Sequence, residues 1–393
     1  MSQQQISSYI GLVQSLLVSP SGNENKILQA NQDLLDMGLV EVMRNIAKIN
    51  TKIGDLNAQW LENLAAMLET NLEKTNLSVD EEKYLTFLMQ VLGVISDNDG
   101  KPEAAYSLLE YNQERVNQNL LTIIQNWAGK NLPKMEPKLA QNIALDIVNF
   151  SNLILLFPLG NQINNVEIAI AGYEVALTVL HSQQFPQIWI TIQNNLGSSY
   201  QKRTIGNLEE NIEVAIACYD KALEVGTSSG LLQGWATTQN NLGNTYQQRI
   251  AGTRKENLEN AISCYQKALT VRSLEKWPQE WASTQNNLGS AYHERIAGEK
   301  KKNIEEAIAC YNLALKVRTQ AEFPLDWART QNNLGNAYLD RIVGDRQDNL
   351  EQAIACFIRG QEVYTQESYP AYWEIISNNL DLVYNEQRLR KVS

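Results

Sequence analysis

The sequence predicts an all-α protein whose larger part is a solenoid of stacked helical hairpins. Three observations predict this fold class: a 46-residue internal repeat, apolar residues three or four apart within each repeat, and few helix breakers. Only 9 prolines and 21 glycines occur among 393 residues, and 44% of the residues are hydrophobic. This composition is typical of a helical chain long enough for more than one packed domain.

The repeat is visible in two sets of residues that recur every 46 positions. The first set contains Trp189, Trp235, Trp281, Trp327 and Trp373; Leu196, Leu242, Leu288, Leu334 and Leu380; Gly197, Gly243, Gly289 and Gly335; and Tyr200, Tyr246, Tyr292, Tyr338 and Tyr384. The second set contains Ala169, Ala215, Ala261, Ala307 and Ala353, and Tyr173, Tyr219, Tyr265, Tyr311 and Phe357. A fixed period of this kind indicates one helical unit copied along the chain, with a core shared between neighbours.

Each unit is predicted to begin with one amphipathic helix. Within it Trp189, Ile192, Leu196, Tyr200 and Arg203 are three or four residues apart, which places them on one helix face. Prolines at Pro186, Pro278, Pro324 and Pro370 predict the start of this helix, and glycines at Gly206, Gly252, Gly298 and Gly344 predict C-terminal caps.

A second helix completes each unit. Its apolar face contains Ile212, Ala215 and Tyr219, and its predicted N-caps are Asn211, Asn257, Asn303 and Asn349. The small residues Gly197 and Ala215 are expected to let the two helices approach closely. We therefore expect a series of helical hairpins, followed by one last helix that contains Trp373.

Two parts of the chain differ in regularity. Residues 1–130 are predicted to form an irregular helical N-terminal region that caps the array, with a degenerate repeat at residues 82–128. Its first helix shows an apolar stripe at Tyr9, Leu12, Val13 and Leu16. Residues 138–393 are predicted to form the array of about five helix pairs plus a terminal helix.

Charge and hydropathy argue against two classes of partner. A net charge of −11 makes a nucleic-acid partner unfavourable, because binding would require a basic face. The start lacks the features of a secretory signal. The most apolar stretch, residues 143–157, is shorter than the about 20 residues that a membrane span needs. We therefore expect a cytoplasmic protein without a membrane partner.

The cysteines and histidines predict neither a metal site nor an active site. Cys218, Cys264, Cys310 and Cys356 share one repeat position, so neighbours would lie about 10 Å apart. That separation is too large for a disulfide or a shared zinc ion, and we expect small buried apolar residues. A catalytic pair of His293 with Cys264 or Cys310 is disfavoured. The sequence predicts no enzyme, no cofactor and no metal.

The combination of Leu-Gly-x-x-Tyr with Ala-x-x-x-Tyr-x-x-Ala resembles the tetratricopeptide repeat (TPR) family, over the whole array. The family has a period of about 34 residues, so the helices or connections are longer in this chain. The resemblance implies a right-handed α-solenoid whose first helices line a concave groove. It also implies a protein–protein interaction module that binds a partner protein or an extended peptide there.

The resemblance assigns sixteen groove-facing positions. They are Thr191, Asn194, Asn195 and Ser198; Thr237, Asn240, Asn241 and Asn244; Ser283, Asn286, Asn287 and Ser290; and Arg329, Asn332, Asn333 and Asn336. All but Arg329 are small or amide-bearing neutral residues, which disfavours a clamp made of basic residues.

Repeated asparagine pairs call for an explanation, because asparagine is a mediocre helix former. An amide can donate to and accept from a peptide main chain. The second asparagine of each pair therefore resembles the asparagine ladder of some TPR proteins, with Asn195, Asn241, Asn287, Asn333 and Asn379 as its members. The alternative is that one asparagine, for which we favour the first of each pair, bonds across to the neighbouring repeat.

Several other segments point to a more specific resemblance. They are Ser15-Leu16-Leu17, Pro20-Ser21-Gly22, Leu35-Asp36-Met37-Gly38-Leu39-Val40 and Phe157-Pro158-Leu159-Gly160. They resemble cyanobacterial proteins that combine such repeats with a caspase-like (CHAT) protease domain, which this sequence does not contain. The resemblance implies an adaptor or regulator in a signalling or defence complex, with a caspase-like protease or its target as the partner.

A structural scaffold is the alternative function. The last helix exposes Leu380, Leu382, Val383 and Tyr384 unless something covers them, so the chain could assemble through this open repeat or through other repeat faces. The oligomeric state does not follow from the sequence.

Overall fold

A computed structural model describes residues 3–18, 24–52, 57–74, 79–98 and 102–392. The described residues are almost entirely helical and contain no strand, which confirms the all-α prediction. The helices are α1 (Gln3–Val18), α2 (Glu24–Ala30), α3 (Met37–Lys52), α4 (Asn57–Lys74), α5 (Val79–Asp97), α6 (Pro102–Tyr111), α7 (Gln118–Ile123), α8 (Gly129–Asn131), α9 (Pro137–Leu156), α10 (Gln162–Leu177), α11 (Pro186–Lys202), α12 (Leu208–Ser228), α13 (Leu232–Gln248), α14 (Arg254–Leu269), α15 (Pro278–Glu294), α16 (Lys300–Ala314), α17 (Pro324–Leu339), α18 (Arg346–Gln361) and α19 (Pro370–Val392).

The chain separates into two compact units, Met1–Gln90 and Val91–Ser393. In the first unit the predicted stripe of α1 is buried, since Tyr9, Leu12, Val13 and Leu16 all belong to its hydrophobic core. The Tyr9 hydroxyl donates to Asp36 Oδ2 at 2.5 Å, so the one polar atom of this buried ring has a partner. The segment 20–22, cited above for the resemblance, lies outside the described residues.

The second unit contains five consecutive hairpins, α9–α10 to α17–α18, followed by α19. Each hairpin packs against the next in the same way, as expected for an α-solenoid. Within a hairpin, the glycine of the first helix faces the aromatic ring of the second. A Cβ atom at Gly243 would lie 2.6 Å from the Tyr265 ring, and one at Gly197 would lie 2.8 Å from the Tyr219 ring. The predicted close approach is therefore confirmed.

The predicted glycine caps are wrong, although the prolines do begin their helices. Helix α11 ends at Lys202, and its C-cap residue Arg203 is already extended. Gly206 follows three residues later, in the loop, with φ at 84°. The left-handed conformation explains why glycine recurs here, but the residue shapes the loop between the helices rather than the helix end.

The predicted N-caps of the second helices are also wrong. Asn207 caps α12, where its side chain accepts from Glu209 N, whereas Asn211 lies one turn inside the helix and is buried. Asn211 Nδ2 donates to Arg203 O at 3.2 Å and to Ile205 O at 3.0 Å. Its equivalents Asn257, Asn303 and Asn349 bond in the same way. These amides satisfy loop carbonyls that have no helical donor.

Candidate peptide-binding face

The predicted binding residues lie on α11, α13, α15, α17 and α19, the first helices of successive repeats. Because these helices pack beside one another, the asparagine pairs form two rows that run across the helix axes. The inner row consists of the first member of each pair, Asn194, Asn240, Asn286 and Asn332. The outer row consists of the second member, Asn195, Asn241, Asn287, Asn333 and Asn379.

The inner row is buried between neighbouring first helices, with at most 8% of Asn194, Asn240 and Asn286 exposed and Asn332 half-buried. Asn194 Nδ2 donates to Thr238 Oγ1 of the next hairpin at 2.8 Å. In the next two hairpins a threonine hydroxyl donates to the Oδ1 of Asn240 or Asn286, at 3.2 Å in both cases. These amides therefore join adjacent repeats, and a ligand on the surface would not reach the buried ones.

The outer row is half-buried, and each member donates one hydrogen bond towards the preceding hairpin. The acceptors are Asn152 for Asn195 (2.7 Å), Asn194 for Asn241 (3.3 Å), Asn240 for Asn287 (3.3 Å), Asn286 for Asn333 (3.2 Å) and Asn332 for Asn379 (3.4 Å). An amide nitrogen carries two hydrogens and an amide oxygen has two lone pairs. Asn241, Asn287, Asn333 and Asn379 therefore keep one N–H and at least one oxygen lone pair beyond this bond, whereas Asn195 also bonds to the Tyr173 side chain.

A third set of predicted residues follows one turn later, at Ser198, Asn244, Ser290 and Asn336, all half-buried. The Tyr265 hydroxyl lies 2.7 Å from Asn244 Oδ1. The amide oxygen of Asn244 thus faces the buried phenol, which leaves its NH2 group directed to the surface. Arg329, the one charged residue predicted on this face, is paired with Asp326 on its own helix.

Two buried arginines beneath this face were missed by the sequence analysis. Arg272 and Arg318 are 6% and 3% exposed, and burial lowers the pKa of both guanidinium groups. Arg272 donates to Thr284 Oγ1 at 2.8 Å and to Thr237 Oγ1 at 3.0 Å, and so links the loop after α14 to α13 and α15. The two arginines are 46 residues apart, but Gly226 and Tyr364 occupy the equivalent positions of the neighbouring repeats, so the arginine recurs in two repeats only.

A bidentate ion pair connects each hairpin to the next. Arg249 Nε and Nη2 donate to Glu213 Oε1 and Oε2 at 2.7 and 2.8 Å. The pairs Arg203–Glu167, Arg295–Glu259 and Arg341–Glu305 have the same geometry. These hydrogen bonds hold the pKa of Glu213, Glu259 and Glu305 below its usual value. The repeated arginine, which the sequence placed on one face of the first helix, therefore stabilises the interface between repeats.

The cysteines are free and buried, as predicted for small apolar residues. Burial raises the pKa of Cys264 to about 11, which makes its thiol a poor nucleophile. The partner of His293 is Asp340, whose Oδ2 lies 3.1 Å from Nε2. Among the described residues no group of three or more His, Cys, Asp or Glu side chains could hold a metal ion.

Helix α9 is the one helix of the described residues that is long and apolar enough to cross a membrane, judged by length and composition only. Its residues Ala144, Ile147, Phe150 and Ile154 are buried, and it packs against α10. Buried core helices commonly have this composition.

Family models match four segments of the array. Residues 235–271 match a tetratricopeptide repeat, and residues 193–226, 282–316 and 328–360 match the Sel1 repeat. No curated protein matches the chain. Among solved structures, the crystal structure of BtubC (BKLC) from P. vanneervenii is similar, with 18% identity over 70% of this chain and 92% of that chain and a TM-score of 0.35. A score this low supports no statement about geometry or function. The second unit of this chain thus contains tetratricopeptide and Sel1 repeats, which build an α-solenoid of helical hairpins.

Proposed function

We propose that this chain binds an extended segment of a partner protein along the outer row. The observation that supports this most is the row itself, five half-buried amides from Asn195 to Asn379 on five successive first helices. The four members from Asn241 to Asn379 keep an N–H and an oxygen lone pair, so each can pair with one donor and one acceptor of a ligand main chain. Tetratricopeptide and Sel1 repeats commonly serve as protein-interaction modules, which agrees with this proposal.

The inner row strengthens the argument by fixing the outer amides in place. Because Asn287 Nδ2 is held by Asn240 Oδ1, and Asn333 Nδ2 by Asn286 Oδ1, little side-chain entropy is lost when a ligand binds. The neighbouring surface positions Thr237, Ser283 and Ser290 are small. A main chain could therefore approach without selection for particular side chains.

The proposal extends to a cytoplasmic adaptor or regulator. Four unpaired cysteine thiols agree with a reducing compartment. A signalling or defence complex, with a caspase-like protease or its target as the partner, is suggested by the N-terminal segments described above.

A scaffold function is the second candidate, and α19 favours it, although the expectation that Leu380 and Val383 are uncovered is wrong, since both pack into the core of the last repeat. Ile375, Leu382 and Leu389 are 53%, 61% and 73% exposed and are spaced seven residues apart on this helix. Such a stripe could pair with another copy of the chain.

The proposed function can be tested by selecting peptides from a displayed random library on the full chain. The affinity of a selected peptide would then be measured for the variant with Asn241→Ala and Asn287→Ala. We expect Kd to rise about thirtyfold, because the two hydrogen bonds lost with each amide together contribute about 1 kcal/mol. Circular dichroism should show unchanged helicity.

Asn257→Ala is the matched control. It removes a buried amide of α14 that bonds to the loop carbonyls of Arg249 and Ala251 and to no member of the outer row. We expect lower thermal stability and a Kd within about twofold of the unaltered chain. Equal losses of affinity in the two variants would contradict a direct role of the outer row.

A further inference from the structure

A polar cleft of about 440 Å³ opens beside the outer row, between the C-terminal ends of α11 and α13. Asn244 lines it and lies three residues beyond the outer-row residue Asn241. A ligand main chain held by Asn241 would therefore place a side chain at the mouth of this cleft, about one helical turn away.

The amides in the cleft are oriented by buried tyrosines. The Tyr219 hydroxyl donates to Gln201 Oε1 at 2.8 Å, and the Tyr265 hydroxyl lies 2.6 Å from Gln247 Oε1. Burial raises the pKa of both phenols, so they keep their protons. Because Gln201 Oε1 accepts from Tyr219, the NH2 group of Gln201 faces the cleft, where it donates one hydrogen to Gln248 Oε1 at 3.5 Å and keeps the other. The one hydroxyl hydrogen of Tyr265 is shared between Gln247 Oε1 and Asn244 Oδ1, and the NH2 group of Gln247 is left on the side of the cleft.

The ion pair that later repeats form at one position has no counterpart at Lys202 and Gln248. One repeat position, which ends α11, α13 and α15, is occupied in order by Lys202, Gln248, Glu294, Asp340 and Glu386. The three carboxylates pair with basic residues that begin the preceding second helices, in Arg254–Glu294, Lys300–Asp340 and Arg346–Glu386. Gln248 brings no carboxylate, and Lys202 makes no ion pair within residues 102–392. Arg254 and Glu294 also line the cleft, but they pair with each other, so Lys202 is the charged group of the lining that has no partner of opposite charge within residues 102–392.

We propose that this cleft binds the carboxylate of an acidic side chain on the peptide segment held by the outer row. The inference rests on the proposed function and specifies which residue the ligand carries at this point. The carboxylate would accept from the Gln201 and Gln247 amides and lie beside Lys202. Charge-assisted hydrogen bonds of this kind are stronger than neutral ones, so the acidic side chain would be selected.

The test uses the same displayed library, on the full chain and on its Gln248→Glu variant. Glutamate at this position matches the carboxylates at Glu294 and Glu386, so the variant follows the repeat and should fold. The unaltered chain is expected to enrich peptides with Asp or Glu at one fixed position. Changing that residue to its amide should weaken binding about tenfold, and Gln248→Glu should abolish the preference.

Lys221→Gln is the control for net charge, because it also lowers the net charge by one and Lys221 is exposed on α12, away from the cleft. This variant should keep the acidic preference. Enriched peptides without an acidic position, or an unchanged preference in Gln248→Glu, would overturn the inference and leave main-chain binding intact. Enrichment of no peptide would overturn the proposed function, and the inference with it.

Discussion

At the level of single residues, the packing within the four hairpins from α11–α12 to α17–α18 depends on a glycine that faces an aromatic ring. The contact repeats at Gly197, Gly243, Gly289 and Gly335, and a Cβ at any of them would lie 2.6 to 2.8 Å from ring atoms. Real Cβ atoms do not approach so closely. The helices or the rings would have to move apart.

Gly243→Ala should therefore lower the free energy of unfolding by about 1–3 kcal/mol, as overpacking of a core does. Denaturant unfolding followed by circular dichroism measures the change. Gly93→Ala is the matched control in α5, where an added Cβ meets no atom within 4 Å. It should be neutral or stabilise the chain by about 0.5–1 kcal/mol. Equal destabilisation by both substitutions would contradict the steric explanation.

The four repeated cysteines should be unreactive in the folded chain. Burial raises the pKa of Cys218, Cys264 and Cys356 to about 11 and that of Cys310 to about 12. The thiolate fraction near neutral pH is therefore very small. A thiol reagent should label none of them in the native protein and all four after denaturation.

Ser228→Cys, exposed at the end of α12, should react in the native state and confirm that the reagent is active. Rapid labelling of the natural cysteines would contradict their burial.

Single-residue roles were the hardest part to predict from the sequence. The repeat indicated that Asn211 and Gly206 have a structural role. It did not show whether the asparagine side chain caps a helix or bonds to loop carbonyls. The loop carbonyls that Asn211 satisfies belong to Arg203 and Ile205, and this geometry exists only after folding. The first hairpin contains the same loop, with Gly160 at φ 80° and Asn165 buried. Both lie 46 residues before members of the series, and a closer reading of the period could have found them.

At the level of elements, neighbouring hairpins are connected by ion pairs that respond to pH. The pKa of Glu213, Glu259 and Glu305 is lowered by the hydrogen bonds from their arginines. Because the folded-state pKa of these carboxyl groups is lowered, the ion pairs stabilise the fold fully above the unfolded-state pKa, near 4.5. This stabilisation is lost as the pH falls through the folded-state pKa.

The thermal midpoint should therefore fall as the pH is lowered below about 4.5, with a smaller fall in Glu213→Gln. Because the Glu213 side chain is 38% exposed, we expect only about 0.5 kcal/mol from this one pair. Glu224→Gln, at an exposed residue of the same helix, is the control and should keep the full pH dependence. Equal slopes in the two variants would contradict the role of the pair.

The elements themselves followed from the sequence more directly. The prolines mark the starts of α11, α15, α17 and α19, because a proline at the first helical position loses no hydrogen bond. The helix ends could not be predicted in the same way, because tertiary contacts of Arg203 and its equivalents, rather than local sequence preference, determine where the last turn stops.

At the level of the whole molecule, the proposed function predicts a monomer. Static light scattering should give a mass near 44.4 kDa at all concentrations. Leu382→Glu places a charge in the exposed stripe of α19 and should leave this mass unchanged. A mass that grows with concentration and returns to the monomer value in Leu382→Glu would favour the scaffold instead.

The candidate site was predictable in outline because its residues repeat in the sequence. Periodicity placed Asn194 and Asn195 side by side on one helix, but it could not separate their roles. Their different roles depend on how far each amide lies from Thr238 and Asn241 on α13. Similarly, the cleft near Lys202 arises from side chains that do not repeat, so the period conceals it.

The spacing of the outer row has a consequence for the composition of any partner. Neighbouring packed helices lie about 10 Å apart, and an extended chain advances about 3.3 Å per residue. Each repeat would then meet every third residue of the partner, and the stretch from Asn195 to Asn379 would cover about twelve residues. Partner segments should accordingly show a three-residue periodicity, with side chains between the amide contacts free to vary.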